Sequence, residues 1–117
     1  MRRDELYLAD IVEAAEDIAE FVAGLTFQAF LDNKMVRSAV LQKLIVIGEA
    51  ASRVSSSLRE RYDAVDWEGV ASFRNRAVHG YFGLDWQIVW TAATSETPLL
   101  RGQVSGTLGD LADHDNA

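Results

Sequence analysis

The chain has 117 residues, 49% of them hydrophobic and 25% charged, with a formal net charge of −7; this is an ordinary globular composition at one domain's length, which excludes a disordered chain and a second core. It holds one proline, Pro98, and no cysteine, which removes disulfides, thiolate metal sites and cysteine nucleophiles and argues against a turn-rich β-sandwich. The longest purely apolar stretch, Leu44-Ile45-Val46-Ile47, is far short of the roughly 20 residues of a membrane span, and acids follow Arg2-Arg3 where a signal peptide would carry its apolar run, so a soluble cytoplasmic protein is expected.

In chain order, Asp4 to about Leu25 reads as an amphipathic helix. Tyr7 or Leu8, Ile11, Ala15, Ile18, Val22 and Leu25 recur every three or four positions, with Asp10, Glu13, Glu16, Asp17 and Glu20 between them. Gly24 is a stop signal, and Thr26 is placed to cap a short helix from Phe27 to Leu31 closed by Asp32-Asn33. A long helix follows from about Lys34 to Ser55, its stripe formed by Val36, Val40, Leu44, Ile47, Ala51 and Val54. Because Leu44 to Ile47 is apolar all round, this helix is expected to pack on more than one side. Ser55-Ser56-Ser57 ends it, and Arg59 to Tyr62 reads as a further short turn.

Asp66 is an N-cap signal for a helix from Trp67 to about His79, ended by Gly80. A last helix is expected from Leu84 or Asp85 to about Thr94, stopped by Pro98. Beyond it, Gly102, Gly106 and Gly109 mixed with Asp110, Asp113 and Asp115 show no sustained period. The expectation is therefore an all-α, up-and-down bundle of four to five helices over residues 1–97, with an irregular, flexible acidic tail over residues 98–117.

The net charge hides a pattern. Residues 1–33 carry net −6 and residues 82–117 net −4, while residues 34–81 carry eight basic side chains against five acidic ones, net +3. An anion would bind in this basic middle. Within it stands Phe73-Arg74-Asn75-Arg76-Ala77-Val78-His79-Gly80-Tyr81-Phe82. On a helix Asn75 and His79, four apart, share a face, whereas Arg74 and His79, five apart, are separated by about 140°. A wrapped arginine, a helix that ends between them, or a second subunit would bring them together. Histidine exchanges a proton near neutral pH, and arginine binds a phosphate bidentately and stabilises added negative charge. In RNA the 2′-hydroxyl is a built-in nucleophile, so such a site needs no metal. By spacing alone, the segment equally fits a histidine satisfying helix carbonyls among solvated arginines.

With its surroundings, the segment resembles the signature of HEPN ribonucleases, and most closely their HepT branch, toxins of bacterial toxin–antitoxin pairs. The likeness lies in Arg74-Asn75, the four residues between Arg74 and His79, and Tyr81 after it. It continues in Leu8-Ala9-Asp10-Ile11, Phe30 with Asp32, Val46-Ile47-Gly48-Glu49-Ala50-Ala51, Trp67, and Asp85 with Val89-Trp90, and so covers residues 2 to 98. It implies a helical homodimer with a composite cleft, and metal-independent endoribonuclease activity. His79 would be the general acid or base, Arg74 the phosphate and transition-state contact, and Asn75 their support. It also implies a nucleotidyltransferase antitoxin that transfers AMP from ATP to Tyr81; the ATP serves that partner, and this chain needs no cofactor. An adenylate beside His79 would place charge and bulk where the RNA phosphate must sit. The sequence departs from the family in its acidic, glycine-containing end. Its acidity also favours a small structured RNA such as tRNA over extended strands.

Glu49, Arg76 and Arg53 are candidate supporting residues, with Lys43 as a further cation for a phosphate track. Each has a structural counter-reading: Glu49 pairing with an arginine across the bundle, the cations lying on solvated faces. Trp67, Trp86 and Trp90 are candidates for base stacking, with Trp90 expected in the core. No two histidines lie close enough in sequence for a helical zinc motif. A non-catalytic HEPN-type dimer that binds a nucleotide or the nucleotidyltransferase is the alternative function.

Overall fold

The alternation of acidic and apolar positions at the start of the chain folds as a helix, α1 (Arg2–Val22), in a computed structural model that describes the backbone of residues 2–79 and 85–116 and the side chains of residues 3–73 and 85–113. Leu8, Ile11 and Ile18 on one face of α1 are fully buried, with Ala14 and Ala15 between them. Gly24 ends the helix in the left-handed region at φ +74°, which glycine adopts without steric cost. The Thr26 hydroxyl then accepts from the Ala29 N–H at 3.1 Å to cap α2 (Phe27–Asp32), and the Asn33 side chain accepts from Val36 N–H at 3.1 Å to cap α3 (Lys34–Arg53).

Helix α3 is the centre of the bundle. It packs against α1 on one side and α5 (Trp67–His79) on the other, which its all-round apolar middle required. Between α3 and α5 the chain turns through α4 (Ser56–Arg61), so α5 runs back along α3. The α3–α4 junction is fastened to the start of the chain by Asp4. Its buried carboxylate accepts from the Ser55 N–H at 2.9 Å and from the Ser55 hydroxyl at 2.6 Å, while the same hydroxyl caps α4 by accepting from Leu58 N–H.

Phe30 on α2 is fully buried against Trp86 and Trp90, with ring centroids 6.1 and 5.1 Å away. Such aromatic contacts contribute about 0.5–1.5 kcal/mol beyond area burial. They hold α6 (Trp86–Thr91), whose N-terminus is capped by Asp85 accepting from Gln87 N–H at 2.9 Å. The all-α reading therefore holds: no strand occurs among the described residues. Nor is any of the described helices long and apolar enough to cross a membrane.

The reading of the C-terminus is corrected. Residues 98–116 are not an irregular tail: α7 (Thr97–Asn116) is a helix of 20 residues, and it packs on α1. Its buried stripe is Leu100, Val104 and Thr107, with Leu108 and Leu111 partly buried beside it. Gly102, Gly106 and Gly109 stand where an added Cβ would meet open space. The glycines lower helix propensity by about 1 kcal/mol each, but the burial of the stripe outweighs them.

Nor does Pro98 stop the preceding helix. Helix α6 passes without a break through a π-helical turn, Ala92–Glu96, into α7, and the Thr97 N–H bonds the Ala92 carbonyl, five residues back. A proline within an α-helix lacks a donor and clashes with the carbonyl four residues before it; the wider turn relieves both conflicts. The resulting rod, residues 86–116, accounts for the 50 Å long axis of the molecule.

Candidate active site

The start of α5 is fixed by local hydrogen bonds. Asp66 caps it by accepting from Gly69 N–H at 3.1 Å, and the Trp67 indole, 4% exposed, donates to the Tyr62 carbonyl at 3.0 Å. A Cβ on Gly69 would run into the Asp66 carboxylate, so a small residue is needed behind the cap. Trp67 is thus a core residue and unavailable for base stacking. Val70 and Phe73 continue the packed face.

The helix backbone then carries Arg74, Asn75, Arg76 and His79 through its last two turns. Asn75 and His79 are in helical register with the exposed Glu68 and Ser72, whereas Arg74 is in register with Trp67 and Val70, which pack inward. The Arg74 and His79 positions therefore diverge by about 140° on one helix. Tyr81 lies outside the described residues, as does the Gly80 stop.

Glu49 lies half-buried on α3, next to the buried Gly48. Arg53 is exposed on the last turn of α3, the end beside α4 and the start of α5. Within one protomer it is thus at the opposite end of the bundle from His79. Most other described cations of the basic middle are committed. Lys43 pairs with Asp17 at 3.0 Å rather than extending a phosphate track. The Arg59 guanidinium donates to the carbonyls of Val54, Ala51 and Ser52 at 3.0, 2.9 and 2.7 Å, which satisfies the end of α3. Arg61 lies over the Tyr62 ring at 5.7 Å.

Beside α5, a groove of about 360 Å³ runs between α3 and α7, floored by Leu44, Ile47, Val70 and Phe73 with Asp66 and Glu96 in its lining. Two carboxylates there disfavour a phosphate backbone. No cluster of three or more metal-ligating side chains occurs among the described residues.

The family profile for the HepT-like ribonucleases matches residues 11–105, a span that holds the whole of α5 and runs into α7. The chain belongs to the HepT-like ribonuclease family. Relatives of this HepT-like chain include a candidate RNase of Methanocaldococcus jannaschii, 35% identical over 104 residues that cover 88% of this chain and 95% of the relative. A protein of Thermococcus cleftensis named "Probable ribonuclease HepT" is 34% identical over 97 residues, 83% of this chain and 88% of its own. A candidate RNase of Caldanaerobacter subterraneus is 32% identical over 108 residues, 92% and 96% of the two chains. No solved structure matches significantly.

One contact that sequence reading missed is Arg37 with Trp86. The guanidinium carbon lies 5.0 Å from the centroid of the indole ring. No short-range pattern links residues so far apart, and in the sequence Arg37 counts only as one cation of the basic middle.

Proposed function

We propose that this HepT-like chain is the ribonuclease toxin of a toxin–antitoxin pair, a metal-independent endonuclease that cuts RNA, with tRNA as target, in a cleft shared by two protomers. The observation that carries this reading is the placement of Arg74, Asn75 and His79 on the last turns of α5 in a chain of a ribonuclease family. Arg74 binds the scissile phosphate and His79 moves a proton to or from the reacting oxygens. The neighbouring 2′-oxygen attacks phosphorus as its proton leaves, the bond from phosphorus to the 5′-oxygen breaks, and that oxygen gains a proton, leaving a 2′,3′-cyclic phosphate and a 5′-hydroxyl.

The divergent registers of Arg74 and His79 support a composite cleft, because two α5 helices related by a two-fold axis offer each RNA strand both kinds of face. Met35 on α3 and Ile88 on α6, 82% and 51% exposed in a single protomer, are consistent with association. Silencing by transfer of AMP to Tyr81, catalysed by a nucleotidyltransferase partner, fits the same chemistry: the adenylate blocks the phosphate position and engages Arg74.

Cleavage of a total tRNA pool in EDTA by the purified protein, beside His79→Ala, tests the reading. Discrete products from the wild type alone support it. A folded, dimeric wild type that leaves tRNA intact favours instead a dimer that binds nucleotide or the partner without cutting.

A further inference from the structure

Arg37 is held in an unusual way. Its Nε is buried and, among the described residues, has no hydrogen-bond partner. What holds it is the face of Trp86, whose ring stands edge-on to the fully buried Phe30. Stacking fixes the plane of a guanidinium without using its N–H donors. A half-buried cation left in this state costs stability unless an anion completes it, and a buried unsatisfied donor in a native fold calls for such an explanation.

Its position suggests the anion. Arg37 precedes Leu44 by two helical turns on the same face of α3. Leu44 and Phe73 both line the groove. Because α5 runs antiparallel to α3, the turns of α5 after Phe73, which carry Arg74 and His79, advance toward the level of Arg37. Trp86 begins α6 only seven residues after His79. The uncommitted charge is therefore at the His79 end of the bundle, together with the exposed Lys34.

We infer that Arg37 is a substrate-binding residue that takes an RNA phosphate next to the scissile one, with Trp86 as the platform that aims it. The planar fork suits a phosphodiester, and Arg37 offers it from α3 rather than from α5, which carries Arg74. This inference rests on the ribonuclease reading above.

The test uses Arg37→Met, which keeps an apolar stem against Trp86 and removes the charge, and Arg37→Lys, which keeps the charge without the fork. Affinity for a tRNA pool is measured by anisotropy in a His79→Ala background, and cleavage kinetics and Tm are measured in the otherwise wild-type chain. Arg37→Met is expected to bind about tenfold more weakly, to raise KM by a similar factor with kcat within about twofold, and to reduce the slope of log affinity against log salt by about one. Its Tm is expected to stay level or rise, because an unsatisfied buried donor has been removed. Arg37→Lys recovers part of the affinity. Three results overturn the inference while leaving the nuclease intact: unchanged binding and KM in Arg37→Met, a loss confined to kcat, or a fall in Tm that accompanies the loss of affinity. A folded wild type that neither binds nor cuts tRNA overturns the ribonuclease reading, and this inference with it.

Discussion

The two ends of α3 use the same side chain in opposite ways. At the C-terminal end, Arg59 spends its donors on three backbone carbonyls of Ala51, Ser52 and Val54, and its charge serves the helix terminus. At the N-terminal end, Arg37 rests on an indole, and its buried Nε has no hydrogen-bond partner among the described residues. The lesson is that a basic stretch in a sequence is not a binding surface until the cations already employed by the fold are subtracted. Of the cations from Lys34 to Arg61, those at the α4 end are occupied by structure or point to water, while Arg37 stands on the same end as His79.

Substitutions can break or sharpen this contrast. The largest effect is expected at the proposed chemical centre: His79→Ala should lower tRNA cleavage by about 10³-fold with the helical circular dichroism unchanged, and residual cutting within tenfold of wild type would remove His79 from the mechanism. Next, Arg59→Met should destabilise the fold by about 2 kcal/mol, because it leaves the end of α3 with unsatisfied carbonyls. Denaturant unfolding measures this, and the matching substitution at Arg37 should show no such loss. If both arginines behave alike, the contrast fails.

Asp4→Ala removes a buried carboxylate from two Ser55 donors and should also cost about 2 kcal/mol in the same assay. It should leave tRNA affinity unchanged, because the clamp is at the Arg59 end. The smallest effect is a gain. Gly106→Ala should stabilise α7 by about 0.5–1 kcal/mol, since the new methyl meets nothing within 4 Å. A loss of stability there would mean that the glycine face of α7 is covered.

The fold from α1 to α5 was legible because its signals are local. Thr26, Asn33 and Asp66 each cap the helix their position announces, and the apolar stripes keep the α period. The family signature in α5 was legible for the same reason, since Arg74 to His79 lie within two turns. The C-terminal helix was not. Its inner stripe of Leu100, Val104 and Thr107 is short and includes a threonine, and three glycines on the outer face masked the period. Pro98 read as a stop because the relief of its clash comes from the geometry of the preceding turn, which no residue there advertises. The Arg37–Trp86 pair was hidden for a different reason: only the packing of α6 against α2 and α3 brings the two together.

The π turn at Ala92–Glu96 acts as a phase shifter within one rod. An extra residue in a single turn rotates everything after it by about 100° relative to an uninterrupted α-helix. This lets α6 aim Trp86 and Trp90 at the aromatic side of α2 while α7, on the same axis, turns Leu100 and Val104 onto α1. Tightening Ala92–Glu96 to α geometry with every residue kept would swing the α7 stripe off α1 by that angle and return the ring of Pro98 to a carbonyl it now avoids. Deleting one residue there would instead let the turn close as α with the stripe still on α1. Spacing in this segment is thus set by direction as much as by length.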